Sequence, residues 1–297
     1  MKTSTTLGPG FSVGHWTEER ARTGCTVVLP PRGNVTSCEI RGSSPSSREL
    51  VLLHPDRRLT EVHGVLLTGG SAFGLAAADG VVSWLSERGI GYDTMVRPVP
   101  IVPCAVIFDL GDGDPDVRPG PESGRAACDN AVAASIPTGR VGAGAGATVG
   151  KWAGREYASA GGVGVGSAEA EGSVVRALAV VNSVGDVIAD DGSVLAGTTS
   201  PEPRFYPPLP PEPAVPTNTV LAVVAVEAAL DKRDVRWVAA RGADGVTTAV
   251  RPAHTRYDGD VVFGIAAPPA EPTPANLDLI GVLATQAVAA AVRNAVT

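Results

Sequence analysis

The sequence predicts a mixed α/β chain, of the α+β kind, and three observations carry that prediction. Short valine- and leucine-rich runs end in glycine turns, a few stretches show helical apolar spacing, and the two kinds of segment follow one another. VHGVLLTGG (62–70) is an apolar run closing on two glycines, the pattern of a buried strand. SAFGLAAADGVVSWLSERG (71–89) follows as a helix. Ser71 is placed as its N-cap, Gly89 as its C′ stop, and Leu75, Ala78, Val82 and Leu85 lie on one face. RALAVVNSVGDVI (176–188) and TVLAVVAVEAAL (219–230) are further strands by length and valine content. The Ala-rich, periodic NLDLIGVLATQAVAAAVRNAV (276–296) is the closing helix.

Composition limits what such a chain can do. Gly (36) and Pro (25) make up about a fifth of the 297 residues, below the ~25–30% of low-complexity chains, and 44% of residues are hydrophobic, so the chain folds. A net charge of −7 with no basic run argues against nucleic acid as a partner. MKTSTTLGPG has no apolar run of a signal peptide, and the apolar stretches near 219–230 and 279–292 are too short to span a bilayer. Cys25, Cys38, Cys104 and Cys128 form no C-x-x-C pair, so they are expected as buried thiols rather than metal ligands or disulfides. The expectation is a soluble, cytoplasmic protein with no metal and no cofactor.

Eight of the sixteen residues from Pro201 to Pro216 are proline. Such a stretch can be neither helix nor central strand, and an exposed, extended connection is expected. The 81 residues after it hold one or two strand-like runs and one convincing helix, thin for an independent domain. A single domain over 1–297, with the proline segment leaving one core and returning to it, fits better than two domains.

Three patterns only approach known catalytic motifs. Gly69-Gly70-Ser71-Ala72-Phe73-Gly74 puts its closing glycine one place late for the G-x-S-x-G nucleophile elbow, and a turn into an N-capping serine accounts for Ser71. VGAGAGATVGK (141–151) has Ala145 and Trp152 where a P-loop needs Gly and Ser or Thr, and no strong strand precedes its G-x-G-x-x-A match. His254 lies near Asp258 and Asp260 and is a candidate base for a histidine-dependent serine hydrolase, although a lone histidine at a loop edge is more often only hydrogen-bonded.

The residues after the proline segment suggest different chemistry. Thr217-Asn218-Thr219 runs from an exposed loop into a buried apolar strand. A hydroxyl there can attack the preceding carbonyl, and hydrolysis of the resulting ester leaves threonine as a new N-terminus. Its α-amine, with a reference pKa of ~7.7–8.0, then serves as base for its own hydroxyl, so no histidine is required. The same residues are also just the start of a strand, and on their own they leave both readings open.

Seven blocks, taken together, resemble the self-cleaving N-terminal-nucleophile hydrolases that include L-aminopeptidase/D-Ala-esterases, β-aminopeptidases and nylon-oligomer endohydrolases. They are VGHWTEERARTGCTVVLP (13–30), LTGGSAFGLAAADGV (67–81), VPIVPCAVIFDLGDGD (99–114), GRVGAGAGATVGK (139–151), ALAVVNSVGDV (177–187), NTVLAVVA (218–225) and HTRYDGDVVF (254–263), in family order over almost the whole chain. The resemblance implies an αββα four-layer sandwich and cleavage between Asn218 and Thr219. The products would be an α chain (1–218, with 200–218 as its proline-rich tail) and a β chain (219–297). It implies Thr219 as nucleophile and Asn182 as oxyanion donor. Lys151 would lie near the threonine hydroxyl as a charged donor that lowers its pKa, with Asp258 and Asp260 orienting the new ammonium group and the lysine. It further implies small amide or peptide substrates and a homotetramer of αβ units. The alternatives are the histidine-dependent hydrolase, or an unprocessed, non-catalytic relative that binds a small ligand.

Three departures from the family pattern stand out. Val220 replaces a second threonine, RGSSPSSREL (41–50) is a degraded glycine-rich block, and Phe108 stands where some members carry tyrosine.

Overall fold

The valine-rich runs become strands of two five-stranded sheets in the computed structural model, which describes residues 5–201, 217–271 and 275–297. In chain order come β1 (Ser12–Glu18), β2 (Thr23–Leu29), β3 (Val35–Ile40), β4 (Ser47–Arg48), β5 (Val65–Thr68), α1 (Ala77–Glu87), β6 (Cys104–Val106) and α2 (Pro121–Asp129). Then follow β7 (Thr148–Val149), β8 (Ser159–Ala160), β9 (Gly162–Ala170), β10 (Ser173–Asn182), β11 (Asp186–Ile188) and β12 (Val194–Ala196). After the proline segment come β13 (Thr219–Glu227), α3 (Lys232–Ala249), β14 (Val250–Arg251), β15 (Val261–Ala267) and α4 (Leu277–Asn294). The first sheet has the order β1-β2-β5-β6-β4 and the second β3-β15-β13-β10-β9.

Alternation along β13 explains the layering. Val220, Ala222, Val224 and Val226 pack with α3 and α4, while Leu221, Val223 and Ala225 face Val28, Leu67 and Ala105 of the other sheet. A strand apolar on both faces must lie between two other layers. On the far side, α1 and α2 cover the first sheet through Ala77, Val81, Leu85 and Ala127. The result is helix, sheet, sheet, helix. Strands from before and after the proline segment are neighbours in one sheet, with β13 antiparallel to β10 and parallel to β15. Residues 202–216 of that segment lie outside the described residues.

Several expected boundaries move. Ser71 does not cap α1: it sits in a 3-10 turn over Ser71–Ala76 that Gly70 begins, and α1 proper starts at Ala77. Gly89 does fall just past the helix, with φ +66. The run 176–188 splits into β10 and β11, because the Ser183 hydroxyl donates to the Gly185 carbonyl (2.7 Å) and turns the chain. The C-terminal part holds two long helices rather than one. Asp231 caps α3 by accepting the N–H groups of Arg233 and Asp234, but Gly242 and Gly245 hide the helix from a propensity count. Gly242 is needed there, since a Cβ would fall 2.8 Å from Val224 and 3.0 Å from Val262.

The four cysteines are free and buried. Burial pushes their thiols up, to about 11 at Cys38 and about 12 at Cys104 and Cys128, which makes them inert. Among the described residues no helix is long and apolar enough to cross a membrane.

Candidate active site

The second sheet brings the separated blocks together. Antiparallel pairing of β10 with β13 sets Asn182, the last residue of one, opposite Thr219, the first of the other. The loop before β15 carries Asp258 and Asp260 to the same end, and an isolated bridge pairs Asn218 with Asp258. Lys151 enters from the turn after β7, where Gly150 takes φ +73 to reverse the chain. All six residues expected from the sequence are therefore adjacent, and all are buried.

Asn182 is the hub. Its Oδ1 accepts from Lys151 Nζ (2.8 Å) and from the Thr148 N–H (3.1 Å), and its backbone oxygen accepts from Lys151 Nζ (3.1 Å). Its Nδ2 donates to the carbonyls of Phe108 (3.2 Å) and Thr217 (3.3 Å). The Thr219 hydroxyl donates to the Asn218 carbonyl at 2.5 Å, and the Gly259 N–H donates to the same oxygen at 3.0 Å. In the uncut chain the Asn182 amide is thus aimed at Thr217, one peptide away from the expected bond.

The two aspartates differ in their work. Asp258 Oδ2 accepts from the N–H and hydroxyl of Thr255, both at 2.7 Å. Asp260 Oδ1 accepts the Val220 N–H at 2.6 Å, which ties the start of β13 to the loop. Asp258 is raised to about 6, first by burial and then by the neighbouring Asp260 charge, against the Thr255 bonds and Lys151. Lys151 is lowered to about 7, chiefly because burial strips water from its ammonium, with Arg155 adding to the shift. A buried amine with that pKa is half neutral near pH 7.

His254 is no free base. Its Nδ1 faces Asp260 Oδ2 (2.6 Å) and its Nε2 faces the Ala243 carbonyl (3.0 Å), so the Nε2 side must carry a proton. Burial alone would lower its pKa, but the Asp260 bond and charge and the Ala243 carbonyl raise it. Both ring nitrogens of His254 are engaged by Asp260 and Ala243, which leaves neither for a serine hydroxyl.

Each departure now has a place. The Val220 side chain packs on the helix side of the sheet, so only its N–H serves the site. The segment after β3 straps the acidic loop: Ser43 and Ser44 donate N–H groups to the Asp258 carbonyl (2.9 and 3.1 Å), and Arg41 donates to that of Asp260 (2.8 Å). Phe108 contributes its carbonyl to Asn182, with the Arg155 guanidinium over its ring. Sequence reasoning passed over Gly259, Thr148 and the Phe108 carbonyl because all three act wholly or mainly through the backbone, which no side-chain pattern records.

Solved structures share this helix, sheet, sheet, helix layering. The β-aminopeptidase of Burkholderia sp. superposes with a TM-score of 0.75 at 19% identity, over 99% of this chain and 88% of that one. The L-aminopeptidase D-Ala-esterase/amidase of Ochrobactrum anthropi, described as a variant of the Ntn hydrolase fold, gives 0.73 at 18% identity, over 99% and 87%. Residues 8–297 match the model of peptidase family S58, and the chain belongs to that family. An uncharacterized aminopeptidase of Mycobacterium leprae is 43% identical over 269 residues, 84% of this chain and 72% of the relative. A 6-aminohexanoate-oligomer endohydrolase of Kocuria sp. is 30% identical over 273 residues, 86% and 73%. The protein is a hydrolase of peptide or amide bonds.

Proposed function

We propose that the chain cuts itself between Asn218 and Thr219 and then, as an aminopeptidase-type amidohydrolase, cleaves small amide or peptide substrates with Thr219 as nucleophile. The observation that carries this reading is the Thr219 hydroxyl lying 2.5 Å from the oxygen of the carbonyl it would attack, beside a buried lysine of lowered pKa.

Neutral Lys151 has two N–H bonds and one lone pair. The two donors match the two Asn182 oxygens, which leaves one lone pair, and the Thr219 hydroxyl turns from the Asn218 carbonyl to give it the proton. Thr219 Oγ bonds to the Asn218 carbonyl carbon, the C–N bond breaks, and the proton passes to the departing Thr219 nitrogen. Water then hydrolyses the ester, giving the Asn218 carboxylate and a free Thr219. The new α-amine becomes the base for the hydroxyl in turnover, in which the substrate acyl group moves to Oγ and then to water. Departure of Thr217 frees the Asn182 Nδ2 for the substrate oxyanion, a contact worth ~2.7–4 kcal/mol. Asp258 and Asp260 hold the ammonium and the strand terminus in place.

A soluble, cytoplasmic homotetramer of αβ units, working without metal or cofactor, completes the reading. It rests on the resemblance, and native mass measurement tests the assembly.

Intact mass and a denaturing gel test the chemistry. Two fragments, 1–218 and 219–297, are expected, and Thr219→Ala should remain one chain without amidase activity. A Thr219→Ala protein that still yields both fragments would sink the mechanism. An uncut wild type inert toward amides would point to the ligand-binding alternative.

A further inference from the structure

The carbonyl of Asn218 accepts from two groups, the Thr219 hydroxyl that would attack it and the backbone N–H of Gly259. We infer that the Gly259 N–H is the oxyanion donor of the self-cleavage step, a catalytic group separate from Asn182, so that processing and turnover use different donors. The inference rests on the self-cleavage reading above and deepens it.

Three features make this N–H suited to the task. Its position is fixed by the sheet. The parallel pairing of β13 with β15 runs from Glu227↔Ala267 back to Leu221↔Val261, and the same offset of forty residues recurs at the Asn218↔Asp258 bridge. The scissile carbonyl is therefore held like a further rung of the central ladder, at 3.0 Å from its donor before any reaction begins. The donor is thus already on the ground-state oxygen, and the oxyanion role requires it to lie within ~2.7–3.1 Å of that oxygen once the charge has developed.

The donor is also strengthened from behind. The Gly259 N–H belongs to the same peptide group as the Asp258 carbonyl, which accepts the N–H groups of Ser43 (2.9 Å) and Ser44 (3.1 Å). Hydrogen bonds in series polarise the peptide between them, so the two serine amides make the Gly259 N–H a better donor. Only glycine permits the arrangement, because a Cβ at 259 would fall 2.5 Å from the Ser44 carbonyl oxygen and 3.1 Å from Pro45 Cα. The degraded block after β3 thus keeps a definite task as the strap that polarises this peptide.

The alternative donor is engaged elsewhere. Asn182 Nδ2 is held by the Thr217 and Phe108 carbonyls while the chain is intact. When Thr219 Oγ bonds to the Asn218 carbon, the carbonyl π pair moves onto the Asn218 oxygen, where the Gly259 N–H meets it. As the C–N bond breaks, that pair returns to re-form the carbonyl of the ester, and the Thr219 nitrogen takes the proton. The Thr217 carbonyl then leaves with the tail, and Asn182 Nδ2 becomes available to substrate.

The test replaces one atom group in the full chain. Translation with glycolic acid in place of Gly259 converts the 258–259 amide to an ester, exchanging N–H for O with little change of shape. Cleavage after Asn218 should slow by about 10²–10³-fold, the loss found on removing one oxyanion donor. A second variant, Gly42→Ala, crowds the Asp258 carbonyl from the strap and should slow cleavage by about tenfold through lost polarisation. Thermal melts matching wild type establish that each variant is folded. A folded ester variant, or a folded Gly42→Ala chain, that cuts itself at the wild-type rate overturns the inference. If the wild-type chain is never cut, it is the self-cleavage reading that fails, so the two failures are distinct.

Discussion

At the scale of single residues, Lys151 and Asp258 make the site pH-dependent in a direction that can be worked out. In the proposed mechanism Lys151 must be neutral to take the Thr219 proton, and with a pKa lowered to about 7 its neutral fraction grows as pH rises through 7. Asp258 ionises through about 6, so its charge is lost below that value. Processing rate should therefore climb between pH 6 and 8, and a rate that falls over this range would contradict the assigned base. Stability has its own sign. The folded chain binds fewer protons at Lys151 than the unfolded chain between about pH 7 and the ordinary value of 10.5, so this group's contribution rises with pH across that window. Below pH 7 its burial cost is present in full. Lys151→Met should abolish processing and remove that rising arm from a plot of Tm against pH.

How much of this residue-level picture was legible follows from what each group uses to act. The roles proposed for Thr219, Asn182, Lys151, Asp258 and Asp260 belong to side chains at fixed places in the matching blocks, and the structure brings those side chains together. The role inferred for Gly259 uses an N–H that every residue except proline carries, so nothing in its letter marks it. His254 was visible as a candidate, but its role depends on facing two acceptors, which only the fold decides. It braces Asp260 through its Nδ1, and Asp260 in turn holds the Val220 N–H.

At the scale of elements, the strands were easier to recognise than α3. Runs such as 219–227 declare themselves by valine content, and their alternation records two buried faces. The α3 sequence carries charges on its outer face and two glycines on its inner face, so local propensity opposes the conformation that packing imposes. Gly242→Ala measures that contest. Alanine gains ~1 kcal/mol of helix propensity. Its methyl meets Val224 and Val262, branched side chains with stiff rotamers that cannot turn aside, and overpacking of this kind costs ~1–3 kcal/mol. A net loss is expected, seen as a Tm lower by a few degrees with the cut after Asn218 unaffected. A Tm that rises would mean that the α3 contact is looser than its geometry implies.

At the scale of the molecule, the position of β13 decides what becomes of the two proposed fragments. The strand that would begin the 219–297 fragment lies between β10 of the other fragment and β15 of its own, and eight register pairs join it to β10 from Val175↔Val226 to Asn182↔Thr219. At the far edge of the same fragment β15 pairs with β3, so chain 1–218 flanks it on both sides within the sheet. The apolar cores continue the join, since α4 residues such as Leu283, Ala287 and Val288 pack in one cluster with Val175 and Ala177 of β10. Cutting one peptide bond at the end of a strand removes none of these contacts. An interface that is a protein core divided between two chains behaves as an obligate one. The processed protein should therefore elute in native buffer at the same position as the uncut Thr219→Ala chain, and its two fragments should separate only in denaturant. Separation of the fragments in native buffer would show that the shared sheet does not hold them, and would leave Thr219 without the Asn182 and Lys151 partners its chemistry requires.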